Sequence, residues 1–418
     1  MPAANKFTPD KFDIAIVGGG LVGASLACAL APLGYRLVVL EKTPLRAASQ
    51  PSYDDRTLAL SHSSCRILEG LGLWPDLEPH ATAIKEIIAS EPGRPGKVEL
   101  KASEMNLSAF GNVVEARSFG AVVLDRIAKL ENVELRCPAT VCGIDTRDEA
   151  ATLSLAEGGS IETRLIVAAD GASSAVRELL EIPVKEHDYR QTAIICNITP
   201  EQHHNGRAFE RLTVTGPFAI LPHAGERCGL VWSVASEDAA GLMEMDEPEF
   251  LKAANSRFGN NLGRFIRMGQ RSSYPLKLVI AEQDIHQRCV IIGNAAHTIH
   301  PIGAQGFNLG LRDVAVLSEL LANEPAQDPG AMDVLNQYSQ WRRSDQKDTV
   351  AWSDGMARLF ANPSPFVAAF RSAGMIAHAL VPGLRRRMAL NAMGYRGQTP
   401  KLAMGEPLLP DVGKTAGF

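Results

Sequence analysis

The sequence predicts an α/β protein: a Rossmann-like domain assembled from distant segments, with an antiparallel sheet inserted into it and a helical C-terminal segment. Three observations predict it. Apolar runs ending in glycine recur at residues 12–17, 161–170 and 288–293, the pattern of strands buried on both faces. Residues 193–234 instead show alternating apolar residues with Gly-Pro and Gly-Glu turns, which reads as a separate antiparallel sheet. From about Met332 to Met393 the pattern becomes helical and arginine-rich.

Taken in order, 12–17 (FDIAIV) is a buried strand, 21–32 a small-residue apolar helix, and 36–40 (RLVVL) a second strand ending at Glu41. Together they form a βαβ unit. Residues 14–35 carry no charge and are long enough to span a bilayer, but Gly18, Gly19, Gly20, Gly23, Pro32 and Gly34 punctuate them. A strand, a tight turn and a buried helix fit that punctuation better. Residues 58–71 read as a helix stopped by Gly72, and 83–100 as strand with a Pro/Gly turn at 91–96. A helix at 118–130 precedes short strands at 133–135 and 151–155. The strand 161–170 then meets a glycine, and 174–180 opens a helix. Helix 249–265, strand 272–280, strand 288–293 and helix 306–321 complete the pattern, and residues after Gly397 read as a loose tail. The expected division is 1–80, 101–182 and 275–330 for the discontinuous nucleotide domain, 81–100 and 183–274 for the inserted sheet, 331–397 for the helical region and 398–418 for the tail.

Composition removes several function classes. A net charge of -5 over 418 residues leaves no electrostatic footprint for nucleic acid. Seven cysteines with no C-x-x-C and no zinc spacing indicate reduced thiols, no metal site and a cytoplasmic protein. Residues 1–13 mix lysines with aspartates and lack a signal-peptide pattern. Glycine, 36 of 418 or about 9% against about 7% typically, is in surplus.

Part of that surplus sits in Gly18-x-Gly20-x-x-Gly23 between strand and helix. Gly18 permits the turn, Gly20 lets a pyrophosphate approach the backbone, and Gly23 lets the helix pack closely. The helix N-terminus offers N–H groups and partial positive charge to phosphates. Glu41, at the end of the next strand, is placed to bind ribose hydroxyls. This motif alone leaves NAD and FAD both open.

Two further motifs follow strands and precede helices: A168-A169-D170-G171-x-x-S174-x-x-R177, and residues 293–313, GNAAHTIHPIGAQGFNLGLRD. With the glycine motif they resemble the three fingerprints of the class A flavin-dependent aromatic hydroxylases, the p-hydroxybenzoate hydroxylase fold. Residues 293–313, Asp54-Asp55-Arg56-Thr57-Leu58-Ala59-Leu60 and 206–211 (GRAFER) are similar to the ubiquinone-biosynthesis hydroxylases. The run from 206 to 222 is most similar to the 2-octaprenyl-6-methoxyphenol hydroxylase branch.

The resemblance implies FAD as cofactor, with NAD(P)H or another donor as reductant. It implies a polyprenyl phenol and O2 as substrates, and hydroxylation through a flavin C4a-hydroperoxide. Glu41 would bind the adenosine ribose, Arg56 would lie near the flavin, and Arg117 would begin a helix passing the cofactor. Asp170 and Gly171 would contact FAD and NAD(P)H. Asn294 stands where the family usually has an Asp bonding the ribityl chain, and Ala304 where it often has Gly. If residue 304 needs positive φ, Gly303 is expected to take the turn instead. Gly303, Gly306 and Asn308 belong to the same cofactor loop, whose helix N-terminus would stabilise an anionic reduced flavin. Arg56, His297, His300 and Pro301 are candidates near the chemistry. No carboxylate partner is visible for either histidine, so a structural role is favoured over that of general base, and no base is assigned.

Residues 366–384 are apolar apart from Arg371 and His378, and Arg385-Arg386-Arg387 follows. Such a helix lies on an anionic membrane or packs on the flavin domain or another subunit; Pro365 and Pro382 keep it short and favour packing. Other ubiquinone-biosynthesis proteins and a second copy of the chain are further partners compatible with the resemblance. The competing functions are a same-fold hydroxylase of another ring position or phenol, a flavoprotein that never activates oxygen, and a scaffold subunit that has lost its flavin.

Overall fold

A computed structural model describes residues 9–44, 56–324 and 327–409. Its first sheet orders the strands Ile285–His286, Cys289–Ile291, Ser160–Ala168, Asp10–Val17, Leu37–Leu40 and Val133–Arg136. The last five run parallel, as buried β-branched strands joined by crossovers do. An antiparallel hairpin, Val141–Thr146 with Ala151–Leu155, extends Ser160–Ala168. One face of the sheet packs Ile14, Ile16, Leu37 and Val39 against Leu26, Leu30, Leu311 and Val314 of helices Leu21–Leu30 and Gln305–Asn323. The other face buries Ala15, Val17, Val38, Leu40, Ile166 and Ile291.

The second sheet orders His297–Thr298, Ser272–Ala281, Val184–Pro200, Cys228–Ala235, Phe218–Pro222, Arg207–Arg211, Glu86–Ser90 and Lys97–Lys101. Its pairings are antiparallel except that of Arg207–Arg211 with Glu86–Ser90, which is parallel. The strand Ser272–Ala281 crosses the expected boundary at 274, because its ladder with Val184–Pro200 continues to Ala281. Helices Ser236–Glu244 and Glu247–Phe258 close the outer face of this sheet over Phe209, Phe218, Trp232, Phe250, Phe258 and Phe265.

Three local expectations change. Residues 58–71 are not one helix: Thr57–Ser61 is a strand paired with Gly111–Glu115, and the helix is His62–Gly70. The distant partner decided this, and the Ser61 hydroxyl caps the helix by accepting from the Ser64 N–H. The helix expected to 265 is Glu247–Phe258; Gly259 at φ +83 ends it, and Phe265–Met268 pairs with Val184–Pro200. The segment after Gly397 is anchored as far as Leu408, which packs against the first core. Leu402 and Ala403 are buried in the first core, the Lys401 N–H donates to Glu319 Oε2 at 2.6 Å, and Arg66 Nη2 donates to the Met404 carbonyl at 2.8 Å.

The C-terminal region forms helices Met332–Ala361, Pro365–Leu380 and Pro382–Ala392. Pro365–Leu380 packs on strand Lys97–Lys101 of the second sheet rather than on the nucleotide domain. The buried pair Arg371–Glu91, 2.6 Å, fixes it there. Among the described residues no single helix is long and apolar enough to cross a membrane.

Candidate active site

The first glycine motif forms a turn too tight for side chains. Gly18 has φ +105, and a Cβ on it would lie 2.4 Å from the Ala169 carbonyl oxygen; a Cβ on Gly23 would lie 2.0 Å from the Gly18 oxygen. The helix Leu21–Leu30 begins here with Gly20 as N-cap and no side-chain cap, so its N-terminal N–H groups face the turn. Glu41 follows the strand Leu37–Leu40. Its Oε2 accepts from the Gly19 N–H at 2.8 Å and its Oε1 from the Thr43 N–H at 2.7 Å, which holds the carboxylate at the rim of the turn. Asp54 and Asp55 lie outside the described residues.

Asp170 follows the strand Ser160–Ala168. Its Oδ2 accepts from the Val176 N–H at 3.2 Å, while Oδ1 is buried without a partner. Gly171 turns the chain at φ +87. Ser174 caps the helix Ala175–Leu179. Buried Arg177 donates to the carbonyls of Ala172 and Ala295, both at 2.6 Å, joining the second motif to the third. Asn294 is exposed at the start of that third motif.

His297 has a carboxylate partner, contrary to the sequence expectation. Its Nε2 lies 2.7 Å from Asp313 Oδ2, a residue one helix further on. Asp313 also accepts from the Gly293 N–H at 2.9 Å and from Arg342 Nε at 2.7 Å. Burial alone would raise the Asp313 carboxyl, but His297 and the Arg342 guanidinium outweigh it and hold the group well below the usual carboxylate range. Arg342 and Arg312 both reach Asp345, at 2.6 and 2.7 Å. This buried network clamps helix Gln305–Asn323 to Met332–Ala361 behind the loop.

His300 is spent differently. The Ile302 N–H donates to its Nδ1 at 3.2 Å, so Nε2 carries the proton and donates to Gln191 Oε1 at 3.0 Å. Burial pushes its pKa down to about 4. With both ring nitrogens engaged it has no lone pair to offer a phenol, which agrees with a structural role. Pro301 leads into the turn Ile302–Ala304. Gly303 has φ +67, with Trp352 at 2.7 Å from where a Cβ would sit. Ala304 is also left-handed, φ +52, so Gly303 does not relieve it; both residues make the turn. Strain of roughly 1–2 kcal/mol at Ala304 is held by the surrounding contacts.

Gly306 lies inside the helix, where a Cβ would meet Ile299 at an ordinary 3.7 Å. Asn308 is engaged within the chain: its amide donates to the carbonyls of Ala59 and Ala304, at 2.9 and 2.6 Å, and accepts from the Ser61 N–H at 2.8 Å. Its side chain therefore pins the strand Thr57–Ser61 to the loop.

The inner face of the second sheet forms the opposite wall. A Cβ on Gly229 would lie 2.3 Å from Thr57 Oγ1, Gln191 meets His300, and the Arg56 guanidinium lies 5.5 Å from the Tyr274 ring centroid. On this face Ile87, Ile195, Ala219, Leu221 and Val231 are partly accessible, although the residues between them in the same strands are buried. Arg117, at the start of helix Ala116–Ile127, donates through Nε to Glu115 Oε2 at 2.6 Å. The sequence carries no local signal for Gln191, Tyr274 or Trp352. Only Asp313 had a local signal, as the last residue of the third motif.

The residues present fit FAD. The glycine cradle and the helix starts at Leu21 and Gln305, neither with a side-chain cap, suit phosphates and an electron-rich ring edge. Glu41 suits ribose hydroxyls, and the buried Asp170 Oδ1 and Gln305 Oε1 have no donor among the described residues.

The family model for an FAD binding domain matches residues 11–353. The ubiquinone hydroxylase UbiL of Rhodospirillum rubrum is 36% identical over 401 residues, covering 95% of this chain and 93% of that protein. The 3-demethoxyubiquinol 3-hydroxylase of Escherichia coli is 29% identical, covering 93% of this chain and 100% of that protein. The p-nitrophenol 4-monooxygenase structure from Pseudomonas putida DLL-E4 superposes with a TM-score of 0.76 at 20% identity, covering 93% of this chain and 100% of that one, and so shares the fold. Motif geometry, family match and relatives agree: the chain belongs to the FAD-binding family of flavin-dependent aromatic hydroxylases that contains the ubiquinone hydroxylases.

Proposed function

We propose that this protein hydroxylates the aromatic ring of a polyprenylated phenol in ubiquinone biosynthesis, using O2 and electrons from NAD(P)H or another donor. The observation that carries this reading is the partly accessible apolar wall of the second sheet opposite the proposed cofactor loop. When bound, FAD supplies the oxygen activation that side chains cannot. The chain's own residues do the rest. Gly18, Gly20 and Gly23 with the start of helix Leu21–Leu30 hold the pyrophosphate, and Glu41 holds the ribose. Asp170, Gly171 and Asn294 would contact the bound cofactor. The N-terminus of helix Gln305–Asn323 places partial positive charge at the flavin edge. Ile87, Ile195, Leu221 and Val231 exclude water from the ring and start of the tail.

The test is expression in strains that each lack one ring hydroxylase of the pathway. Relief of one block, with an added oxygen at one ring position, supports the reading and identifies the position. FAD-loaded protein that relieves no block rejects it.

A lipid-tailed substrate also favours contact with the membrane surface. Helix Pro365–Leu380 buries Ala368, Arg371 and Met375 but leaves Phe366 88%, Phe370 71% and Leu380 74% exposed, beside Arg385, Arg386 and Arg387. Apolar side chains next to cations suit an anionic lipid surface. Phe366→Ser with Phe370→Ser should lower co-sedimentation with anionic phospholipid vesicles several-fold; equal sedimentation of variant and parent rejects the contact.

A further inference from the structure

The inner wall of the second sheet carries a carboxylate that no motif assigned. Glu210 belongs to the strand Arg207–Arg211, where Phe209 points into the aromatic cluster under the helices. Alternation turns Glu210 the other way, toward the cofactor loop, where the Gly303 N–H is near enough to favour its ionised form. Its cross-strand partners on that face are Ala89 and Ala219. Two methyl groups flank the carboxylate across the strands, with apolar Ile87 and Leu221 two residues further along the same face, and Glu210 is partly accessible there.

We propose that Glu210 accepts the hydrogen bond of the substrate's phenol hydroxyl and takes its proton as the ring is oxygenated, an assignment that rests on the hydroxylase reading above. The proton passes from the phenol oxygen to a Glu210 carboxylate oxygen, and the O–H electron pair stays on the phenol oxygen. That raises electron density at the ring carbons ortho and para to it, where an electrophilic oxygen is added. When the oxygenated carbon loses its own proton to solvent and aromaticity returns, Glu210 returns its proton to the phenol oxygen. The oxidant is O2 with two electrons from the donor, as in the reaction above.

The chemistry of this position suits the role. Burial pushes the Glu210 carboxyl up to about 7, with the Gly303 N–H opposing the rise, so near neutrality it is a base strong enough to matter and present in ionised form. Arg207 and Arg211 of the same strand lie on the opposite face, Arg211 beside Ser90. The flanking strands place Ile87, Ala89, Ala219 and Leu221 on the inner face. In the loop, His300 is held neutral near pH 7, since burial pushes it down to about 4. Helix Met332–Ala361 meets Gly303 through Trp352, and its Asp354 is engaged by Tyr189 and Arg358. On helix Pro365–Leu380, Arg371 is paired with Glu91.

The experiment compares the FAD-loaded parent with Glu210→Gln, titrating 2-methoxyphenol and 1,2-dimethoxybenzene between pH 6 and 8 by perturbation of the flavin spectrum. In the second probe a methyl group replaces the hydroxyl hydrogen, and the phenol itself ionises only near pH 10. As the ionised fraction of Glu210 rises from about a tenth to about nine-tenths, the parent should bind 2-methoxyphenol up to about ninefold more tightly. Glu210→Gln should show no such dependence, and 1,2-dimethoxybenzene none in either protein. Glu210→Ala, whose side chain matches its neighbours, replaces the Gln variant if that fails to load FAD. A flat profile in the parent, or an unchanged profile in the variant, overturns the assignment while leaving the hydroxylase reading intact if both probes bind. If neither probe binds the FAD-loaded parent, the cleft reading falls and Glu210 falls with it.

Discussion

The two faces of the second sheet are built from the same strands and differ in what completes them. In Phe218–Pro222, Phe218 and Ile220 are buried while Ala219 and Leu221 are partly accessible; Leu230 and Val231, side by side in Cys228–Ala235, divide the same way. The outer face is finished by the chain itself. Phe258 meets Phe209 at 5.2 Å and Phe265 at 5.2 Å, and Trp232 meets Phe250 at 5.7 Å, under two helices. The inner face is apolar yet looks across to the loop proposed to hold the cofactor. Apolar surface left accessible opposite such a loop gains about 25 cal/mol per Å² when a ring covers it. One face therefore supports the fold, and the other is left open for the proposed substrate.

The largest test of that contrast is a pair of truncations. Phe258→Ala should cost about 3–5 kcal/mol in denaturant unfolding, because it opens a cavity among packed aromatics. Val231→Ala on the inner face should cost less than about 1.5 kcal/mol, while weakening 2-methoxyphenol binding several-fold. Equal losses of stability from the two would break the distinction.

A smaller effect concerns pH. His300 supports the inner face through Gln191, and its folded pKa of about 4 lies below the ordinary 6.5. The unfolded chain then binds this proton more readily, so the stability is fully present above about pH 6.5 and is lost as pH falls toward 4, by at most about 1.4 kcal/mol per unit. His300→Asn should flatten the unfolding profile in that window; an unchanged slope would separate His300 from the effect. The smallest expected change is a gain. Ala304→Gly should raise stability by about 1 kcal/mol, since glycine occupies φ +52 without a Cβ clash. A loss there would mean that the left-handed turn is not strained.

What was legible in the sequence was local and repeated. Strand–glycine–helix junctions at Gly18, Asp170-Gly171 and Gly293 announce themselves because close approach of backbone to a ligand demands particular residues at particular spacings. Residues 58–71 were harder, since an apolar L-A-L run fits a helix or a strand until Gly111–Glu115 is known to lie beside it. Glu249 to Phe265 was overextended because helical periodicity does not report a glycine reversal that a distant strand then exploits. His297 looked partnerless because Asp313 reaches it only after the helix turns back.

By itself the sequence determined the cofactor class and pointed to the three segments proposed to hold it, since both depend on short-range backbone demands. Tertiary structure alone decided which face of the second sheet stays open, that His300 has no lone pair to give, and that Glu210 stands between two alanines opposite Gly303. The open face and the surroundings of Glu210 depend on which strand lies next to which, and His300 finds Gln191 109 residues away; such contacts leave no local trace.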